Sequence, residues 1–335
     1  MSSQMPLIHP SDAIFAGEKS PALLPAVNHY AGNEKFILKA LQLQNTLGPV
    51  FDITCDCEDG APAGHEAAHA EMCAAFIMNP ENRFNRVGVR IHDISHPHWR
   101  KDLEILVEKA GNRLAFMAFP KLSSARNLAS QLMALRDAEA NAGLTRLIPA
   151  HVLIETHGAL RQVWEMAAQP GVASLDFGLM DFVSSHHGAI SVDAMKSPGQ
   201  FEHPLLRRAK AEVVAAALAH GLVPTHNVTT AIEDPNIAAN DAHRARHEFG
   251  FLRMWSIHPS QIEPILNAMR PSAEELATAQ TILCAAQEVN WGPIRYQGIL
   301  HDRGSFRYYW TLLQRAHASG QVLTPEIVSR FFPSA

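Results

Sequence analysis

The sequence alternates short apolar runs with longer amphipathic stretches, and this alternation restricts its fold more than any other feature. Such repeats are typical of a parallel sheet, because parallel neighbours need a long crossover, usually a helix. The runs that qualify as strands are Ala22–Ala26, Val50–Asp56, Arg86–Ile91, Leu114–Pro120, His151–Glu155, Ser174–Gly178, Leu222–Thr225 and Leu252–Ile257. The helical stretches include Asn33–Leu47, Trp99–Lys109, Ala125–Asn141, Leu160–Ala168 and Pro204–His220. We therefore predict an α/β fold, a closed (β/α)8 TIM barrel.

The chain continues beyond the eighth predicted strand. Pro271–Ala286 opens with Pro-Ser and an acidic first turn, which predicts a capped helix. Asn290–Gly304 is rich in turn-forming and aromatic residues, and Ser305–Ser319 is helical again. We predict a barrel domain over residues 1–286 and a C-terminal helical extension over residues 287–335, which acts as a lid or a subunit contact.

Composition and charge exclude several classes of protein. The formal net charge of −5 argues against a nucleic-acid partner, which needs a basic surface to neutralise phosphates. No apolar run approaches the roughly 18–20 residues of a membrane span, and the N-terminus lacks the pattern of a secretory signal. Four cysteines in 335 residues do not form a disulfide framework. We expect a cytoplasmic protein with neither a nucleic-acid nor a membrane partner.

Charged residues end or follow most of the predicted strands. In barrel enzymes the carboxyl ends of the strands meet at one mouth, where the chemistry takes place. A single acid there is equally well explained as the N-cap of the next helix. Acids at three strand ends, with an Arg and a Lys at two others, are harder to explain by capping. These charged residues, with a histidine after the last strand, are Glu58, Asp59, Arg90, Lys121, Glu155, Asp181 and His258.

This set of side chains suits a hard divalent cation and an anionic substrate. Mg²⁺ prefers oxygen ligands and takes only one or two carboxylates, for which Glu155 and Asp181 are the candidates. Glu58 and Asp59 would bind its waters, and Arg90 would grip a carboxylate through its planar fork. The histidine pairs lack Cys or Glu partners at the spacings of zinc motifs.

Short motifs follow the predicted strands in a fixed order. They are Gly32-Asn33-Glu34-Lys35, Asp56-Cys57-Glu58-Asp59-Gly60, Val89-Arg90, Pro120-Lys121, Ile154-Glu155-Thr156, Phe177-Gly178 with Asp181, Ile257-His258-Pro259 with Gln261, Pro271-Ser272 with Glu274-Glu275, and Tyr296-Gln297-Gly298 with Asp302. Each motif is weak alone. Their order over roughly residues 30 to 315 resembles the citrate lyase β-subunit and malyl-CoA lyase family.

The resemblance implies a barrel, Mg²⁺ and a homotrimer or larger homo-oligomer. Glu155 and Asp181 match the two metal ligands of that family. Asp302 matches an Asp that reaches the active site of a neighbouring subunit, and we predict that it transfers the proton to or from the enolate carbon. Arg90 is predicted to be catalytic as well. The predicted substrate-binding residues are Arg90, Lys121 and His258.

Three stretches depart from the family pattern. Leu24-Pro25-Ala26-Val27 stands where the family often has an Arg that contacts the thioester. Ala68-His69 replaces an Ala-Arg pair, and Asn227–Asn240 differs from the usual sequence before the last strand. The expected metal site is therefore better supported than the expected recognition of CoA.

These observations predict a Mg²⁺-dependent carbon–carbon lyase that cleaves or forms a 3-hydroxy-acyl-CoA of the malyl-, citramalyl- or citryl-CoA type through an enolate. Its partners would be an acyl-CoA or a 2-oxo acid. The missing first-strand Arg leaves open a class II aldolase that cleaves 4-hydroxy-2-oxo acids without CoA. A third alternative is a non-catalytic binding barrel or a subunit of a lyase complex.

Overall fold

The structure, a computed structural model, describes residues 7–15, 22–59 and 63–333. The chain forms two compact units, one from Leu24–Met269 and the other from Met1–Leu23 together with Arg270–Ala335. The division falls earlier in the chain than the boundary after residue 286 that the sequence suggested. The reason is that the helix Ala273–Glu288 packs with the C-terminal helices, through Leu276 and Leu283.

The larger unit is a closed barrel of eight parallel strands, which confirms the predicted fold class. The strands pair in chain order, and β8 closes the ring by pairing with β1. They are β1 Val27–Ala31, β2 Phe51–Asp56, β3 Val87–Arg90, β4 Met117–Phe119, β5 Ala150–Ile154, β6 Val172–Phe177, β7 Val223–His226 and β8 Arg253–Ser256.

One short helix precedes the barrel, others connect or follow its strands, and three more come after it in the chain. They are α1 Pro10–Ala13, α2 Glu34–Leu47, α3 Glu66–Met78, α4 Trp99–Ala110, α5 Ala125–Asn141, α6 His157–Arg161, α7 Val163–Ala167, α8 Leu179–Ser184, α9 Gly199–Glu202, α10 Pro204–Ala219, α11 Pro235–Arg244, α12 Ile262–Met269, α13 Ala273–Glu288, α14 Arg303–Ala318 and α15 Pro325–Phe331. The predicted helix Leu160–Ala168 is divided into α6 and α7 at Gln162. No helix of the described chain is long and apolar enough to cross a membrane.

The prediction of the first strand is wrong. The apolar run Ala22–Ala26 precedes the strand, and β1 is the next segment, Val27–Ala31. Pro25 has no N–H to donate to a strand ladder, so the run before it is a poor strand. The sequence pattern does not indicate β1, because Asn28 and His29 are polar although they are buried. The other seven predicted strands overlap the observed ones.

The interior of the barrel contains buried polar side chains, several of which are hydrogen-bonded to one another. Arg253 Nη2 donates to Asp52 Oδ2 over 2.6 Å, and both side chains are almost completely buried. Trp255 Nε1 donates to Asp176 Oδ2 over 2.8 Å, and Thr54 Oγ1 donates to Asn28 Oδ1 on β1 over 2.7 Å. Buried charges are costly unless paired and hydrogen-bonded. The aliphatic core lies instead on the outer faces of the strands, against the helices.

The smaller unit contains α1, α13 to α15 and an antiparallel hairpin of β9 Ile294–Tyr296 and β10 Ile299–His301. The hairpin lies within the stretch predicted to be rich in turns. The core of the smaller unit is formed by aromatic and aliphatic side chains, among them Phe306, Trp310 and Leu313. This unit therefore has an apolar core of its own.

We predict that Arg253→Met lowers the free energy of unfolding by about 3 kcal/mol, because it leaves Asp52 buried with only Arg86 Nη1, 3.7 Å away, as a cationic partner. Urea unfolding measures this change. The control is Lys101→Met, which removes the exposed Lys101–Glu104 pair and is expected to change stability little. Equal effects of the two substitutions would contradict a structural role for the buried pair.

Candidate active site

A cavity of about 270 Å³ lies among residues at the carboxyl ends of the barrel strands and in the loops that follow. This is the face where barrel enzymes carry out their chemistry. Its polar wall consists of Tyr30, Asp59, Arg90, Glu155, Asp181 and Asn227. Four of these residues, Asp59, Arg90, Glu155 and Asp181, were predicted site residues, and the fold brings them together at one cavity.

Arg90 is anchored by Asp56, a residue to which the sequence analysis gave no role. Arg90 Nε donates to Asp56 Oδ1 over 2.7 Å and Nη2 to Oδ2 over 2.8 Å. Tyr30 Oη also donates to Asp56 Oδ2, over 2.9 Å. Burial alone would raise the pKa of Asp56, but the hydrogen bonds and charge of Arg90 outweigh it and hold that pKa below its usual value. Asp56 is therefore ionised, and the guanidinium is fixed in plane as well as in position.

Arg90 also contacts two further carboxylates. Nη1 lies 2.9 Å from Glu58 Oε2, and Nη2 lies 3.3 Å from Asp59 Oδ2. Lys121 Nζ approaches the same two acids, at 2.7 Å from Glu58 and 3.2 Å from Asp59. Glu58 and Asp59 therefore each bridge an arginine and a lysine that come from neighbouring strands.

Glu155 is the buried carboxylate of the cavity, with 2% of its surface exposed. The main-chain N–H of Lys121 donates to its Oε1 over 2.6 Å, and Lys121 adopts a left-handed backbone conformation (φ 49°). Burial raises the pKa of Glu155 to about 8, and the negative charges of Asp181 and Glu58 add to the rise. Glu155 therefore holds a proton near neutrality when no metal cation is bound beside it.

Gly178 makes room for this carboxylate. It precedes α8, and a Cβ built on it would lie 2.3 Å from Glu155 Oε2. Real Cβ atoms essentially never come so close. A glycine is therefore required between the end of β6 and the helix that carries Asp181.

The cluster contains more acids than bases. Five carboxylates (Asp56, Glu58, Asp59, Glu155 and Asp181) surround two cationic side chains, those of Arg90 and Lys121. Burial is the largest cause of the raised pKa of Glu155, and the charges of Asp181 and Glu58 raise it further, so bringing these carboxylates together is unfavourable. A divalent cation would offset the excess negative charge, so the chemistry of this donor set fits Mg²⁺. Within residues 7–15, 22–59 and 63–333 no group of three or more His, Cys, Asp or Glu side chains is placed to hold a metal, so water and substrate would complete the coordination.

Asn227, which the sequence analysis missed, is held by a buried network. Its Nδ2 donates to Gln200 Oε1 and to the carbonyl oxygen of Val228, each over 2.8 Å. Lys210 Nζ donates to the same oxygen of Gln200 over 3.2 Å and to His226 Nε2 over 2.8 Å. Asn227 lies in the stretch that departs from the family pattern, so the sequence carried no signal for it.

The other two predicted residues, His258 and Asp302, are not among the residues that line the cavity. His258 is exposed after β8, where its Nδ1 accepts from the Ser260 N–H over 3.3 Å and caps a short turn, while the preceding Ile257 lines the cavity. Asp302 belongs to the smaller unit and is exposed. Its Oδ1 accepts from the Gly304 N–H over 3.0 Å, which caps α14.

Comparison with known proteins agrees with this geometry. The relatives it finds are named as lyases, so the chain is an enzyme of the carbon–carbon lyase class. Residues 51–259, which include β2 to β8, match the HpcH/HpaI aldolase/citrate lyase family, and the chain belongs to that family. The resemblance seen in the sequence motifs is thereby confirmed.

Individual relatives span most of the chain. A citrate lyase of Burkholderia xenovorans LB400, known from its crystal structure, is 51% identical with a TM-score of 0.84, and the match covers 97% of this chain and 100% of that one. The L-malyl-CoA/beta-methylmalyl-CoA lyase of Cereibacter sphaeroides is 26% identical over 284 residues, covering 79% of this chain and 86% of that one. Protein CitE of Mycobacterium tuberculosis, crystallised with magnesium, acetoacetate and coenzyme A, shares the fold (23% identity, TM-score 0.65, 88% and 98% covered).

We predict that Glu155→Gln stabilises the metal-free protein increasingly as the pH rises. The pKa of Glu155 is about 8 in the folded protein against an ordinary 4.5. Between these values the folded state keeps a proton that the unfolded chain loses, so the free energy of unfolding falls as pH rises towards 8. The glutamine does not titrate and avoids this loss.

Thermal unfolding in EDTA between about pH 5 and pH 9 measures the effect. The midpoint of Glu155→Gln relative to the native enzyme should rise up to about pH 8 and then level off. Glu104→Gln, at an exposed position, is the control and should show no such trend. A difference that does not vary with pH would contradict the raised pKa.

Proposed function

We propose that the protein is a Mg²⁺-dependent lyase that cleaves or forms a 3-hydroxy-acyl-CoA of the malyl-, citramalyl- or citryl-CoA type through an enolate. The observation that carries this proposal is the pair Glu155 and Asp181, which lie on one cavity wall in a cluster with excess negative charge. The names of the relatives and the magnesium and coenzyme A bound to CitE give further support.

Glu155 and Asp181 would hold the metal, and Glu58 and Asp59 would bind its waters. When bound, Mg²⁺ supplies a Lewis acid and a template for the 2-oxo-acid half of the substrate. Lys121 would act in two ways. Its main-chain N–H fixes the orientation of Glu155, and the Lys121 side chain would bind substrate together with His258.

Arg90 would stabilise the oxygen on which negative charge develops in the enolate. Its bidentate pair with Asp56 keeps the guanidinium oriented before substrate arrives, so little reorganisation is needed during the reaction. Of its acidic neighbours, Asp59 is the one that a substrate anion can replace. Asp59 is 58% exposed and makes the longest contact, whereas Glu58 is almost buried.

Asp302 would transfer the proton to or from the enolate carbon, delivered by a neighbouring subunit of a homotrimer or larger homo-oligomer. Its carboxylate is exposed and accepts a hydrogen bond from the main-chain N–H of Gly304 over 3.0 Å. This assignment rests on the match of the Tyr296-Gln297-Gly298 segment to the family motif.

The first test is a mass-spectrometric cleavage screen with Mg²⁺ and with EDTA, offering malyl-, methylmalyl-, citramalyl- and citryl-CoA beside several 4-hydroxy-2-oxo acids. We expect Mg²⁺-dependent release of an acyl-CoA and an oxo acid. Glu155→Gln and Asp181→Asn should each abolish metal-dependent turnover, while Asp193→Asn, an exposed control, should retain it.

Other outcomes of the screen favour the alternatives. Cleavage of only the free hydroxy-oxo acids would indicate a class II aldolase. No cleavage of any substrate, combined with binding of Mg²⁺ and oxo acid, would indicate a binding barrel or a subunit of a larger lyase complex. Metal-dependent turnover by Glu155→Gln would overturn the assignment of the site.

Two substitutions of Asp302 separate its structural and chemical roles. Asp302→Asn keeps an N-cap oxygen for α14, so we expect unchanged thermal stability and a kcat lowered by about 100-fold or more. Asp302→Ala should lose the cap as well, at a cost of about 1 kcal/mol in the free energy of unfolding. Native kcat in Asp302→Asn would rule out the proton-transfer role.

A further inference from the structure

The cavity has an apolar half that the proposed chemistry does not use. Besides its polar wall it is lined by Leu153, Phe177, Leu179, Val228, Trp255 and Ile257, with Met180 at the mouth. Ile257 and Met180 are 37% and 41% exposed although both are large and apolar. Exposed apolar side chains gathered at a cavity mark a binding surface.

The two halves lie on different sectors of the barrel. Tyr30 is on β1, Asp59 follows β2 and Arg90 is on β3. On the apolar side, Val228 follows β7, Trp255 is on β8 and Ile257 follows β8. Glu155 and Asp181 follow β5 and β6, and the apolar residues Leu153, Phe177 and Leu179 come from these same strands and the start of α8. A substrate held at the two carboxylates therefore has charged groups towards β1 to β3 and hydrocarbon from β5 to β8.

The floor of the apolar half is fixed in place. Leu153 packs against Phe116, and Trp255 Nε1 donates to Asp176 Oδ2 over 2.8 Å. Asp176 also accepts from Ser174, so its carboxylate is itself oriented. The indole cannot turn away without leaving a buried carboxylate oxygen without its donor, which is costly. Leu153 and Trp255 therefore set the depth of the cavity.

The cavity, of about 270 Å³, has six apolar residues in its wall besides Met180, and the smallest substrates offer them little hydrocarbon. An acetyl group or a glyoxylate offers no hydrocarbon beyond one methyl group to an apolar wall. We propose that the apolar half binds a hydrocarbon substituent of several carbons on the hydroxy-acyl substrate, and that Leu153 and Trp255 limit its length.

This inference rests on the proposed lyase function and names its substrate class. The substituent can come from the 2-oxo-acid half or from the acyl half, and two series of substrates distinguish these sources. The enzyme is assayed in the condensation direction with Mg²⁺, first with acetyl-CoA and glyoxylate, pyruvate, 2-oxobutanoate and 2-oxohexanoate. The second series pairs glyoxylate with acetyl-, propionyl-, butyryl- and hexanoyl-CoA.

We expect kcat/KM to rise by about four-fold or more per added methylene in one of the two series, until the floor is reached. Val228→Thr keeps the volume of the side chain but adds a hydroxyl to the apolar half. It should lower kcat/KM for the longer substrates by about ten-fold while changing that for the shortest one little. Val192→Thr, at a position that is 70% exposed, is the matched control and should change neither.

Binding gives a readout that does not depend on turnover. Quenching of tryptophan fluorescence by the 2-oxo acids and by the acyl-CoAs, in the presence of Mg²⁺, should strengthen with chain length in one of the two series and be lost in Trp255→Phe. Trp164→Phe is the control, because Trp164 Nε1 also donates to a carboxylate, that of Glu212 over 2.6 Å, yet lies outside the cavity.

The outcomes separate this inference from the function on which it rests. Turnover that is fastest with acetyl-CoA and glyoxylate and falls with chain length in both series would overturn the inference and leave the lyase function intact. Chain-length-dependent binding without turnover would support the inference and remove the lyase function. Neither turnover nor binding would overturn both.

Discussion

The bidentate ion pair between Asp56 and Arg90 is the interaction on which the charged half of the cavity depends. Two parallel hydrogen bonds fix the plane of the guanidinium, so that its third nitrogen meets Glu58. Glu58 in turn binds Lys121, whose main-chain N–H donates to Glu155. The carboxylate that we propose as a metal ligand is thus positioned by a series of contacts that begins on β2 and β3.

The barrel brings these residues together through strand register. Asp56 and Arg90 are direct partners in the pairing of β2 with β3, and a shift of one residue would turn one of them to the opposite face. Deeper in the barrel, Asp52 and Arg253 form an ion pair although β1 lies between their strands, so the contact crosses the interior. A shifted register would leave these charges buried and unpaired, which strongly disfavours it.

The sequence predicts most of the barrel and much of the site, for physical reasons that also explain where it fails. Seven strands could be located because each run contains several buried apolar residues, although β2, β6 and β8 also carry buried polar ones. The first could not, because its buried residues Asn28 and His29 are polar and the apolar run Ala22–Ala26 lies just before it. Acids at strand ends could be assigned to one site because the ends of parallel strands converge. The complete engagement of Arg90 by carboxylates, and the orientation of Asn227, depend on distances between separate loops and helices, which sequence patterns do not contain.

The charged and apolar halves of the cavity also reinforce each other. Hydrocarbon from Leu153 and Trp255 excludes water beside Glu155, and lower local polarity strengthens every interaction between a carboxylate and a cation. The same exclusion raises the pKa of Glu155, so the residue that gains most from a bound cation is the one that is least stable as a free anion. Asp176 connects the polar interior of the barrel to the cavity, because its carboxylate accepts a hydrogen bond from Trp255, which forms the apolar floor. An alteration of the polar interior beneath the cavity would therefore change which substrates fit above it.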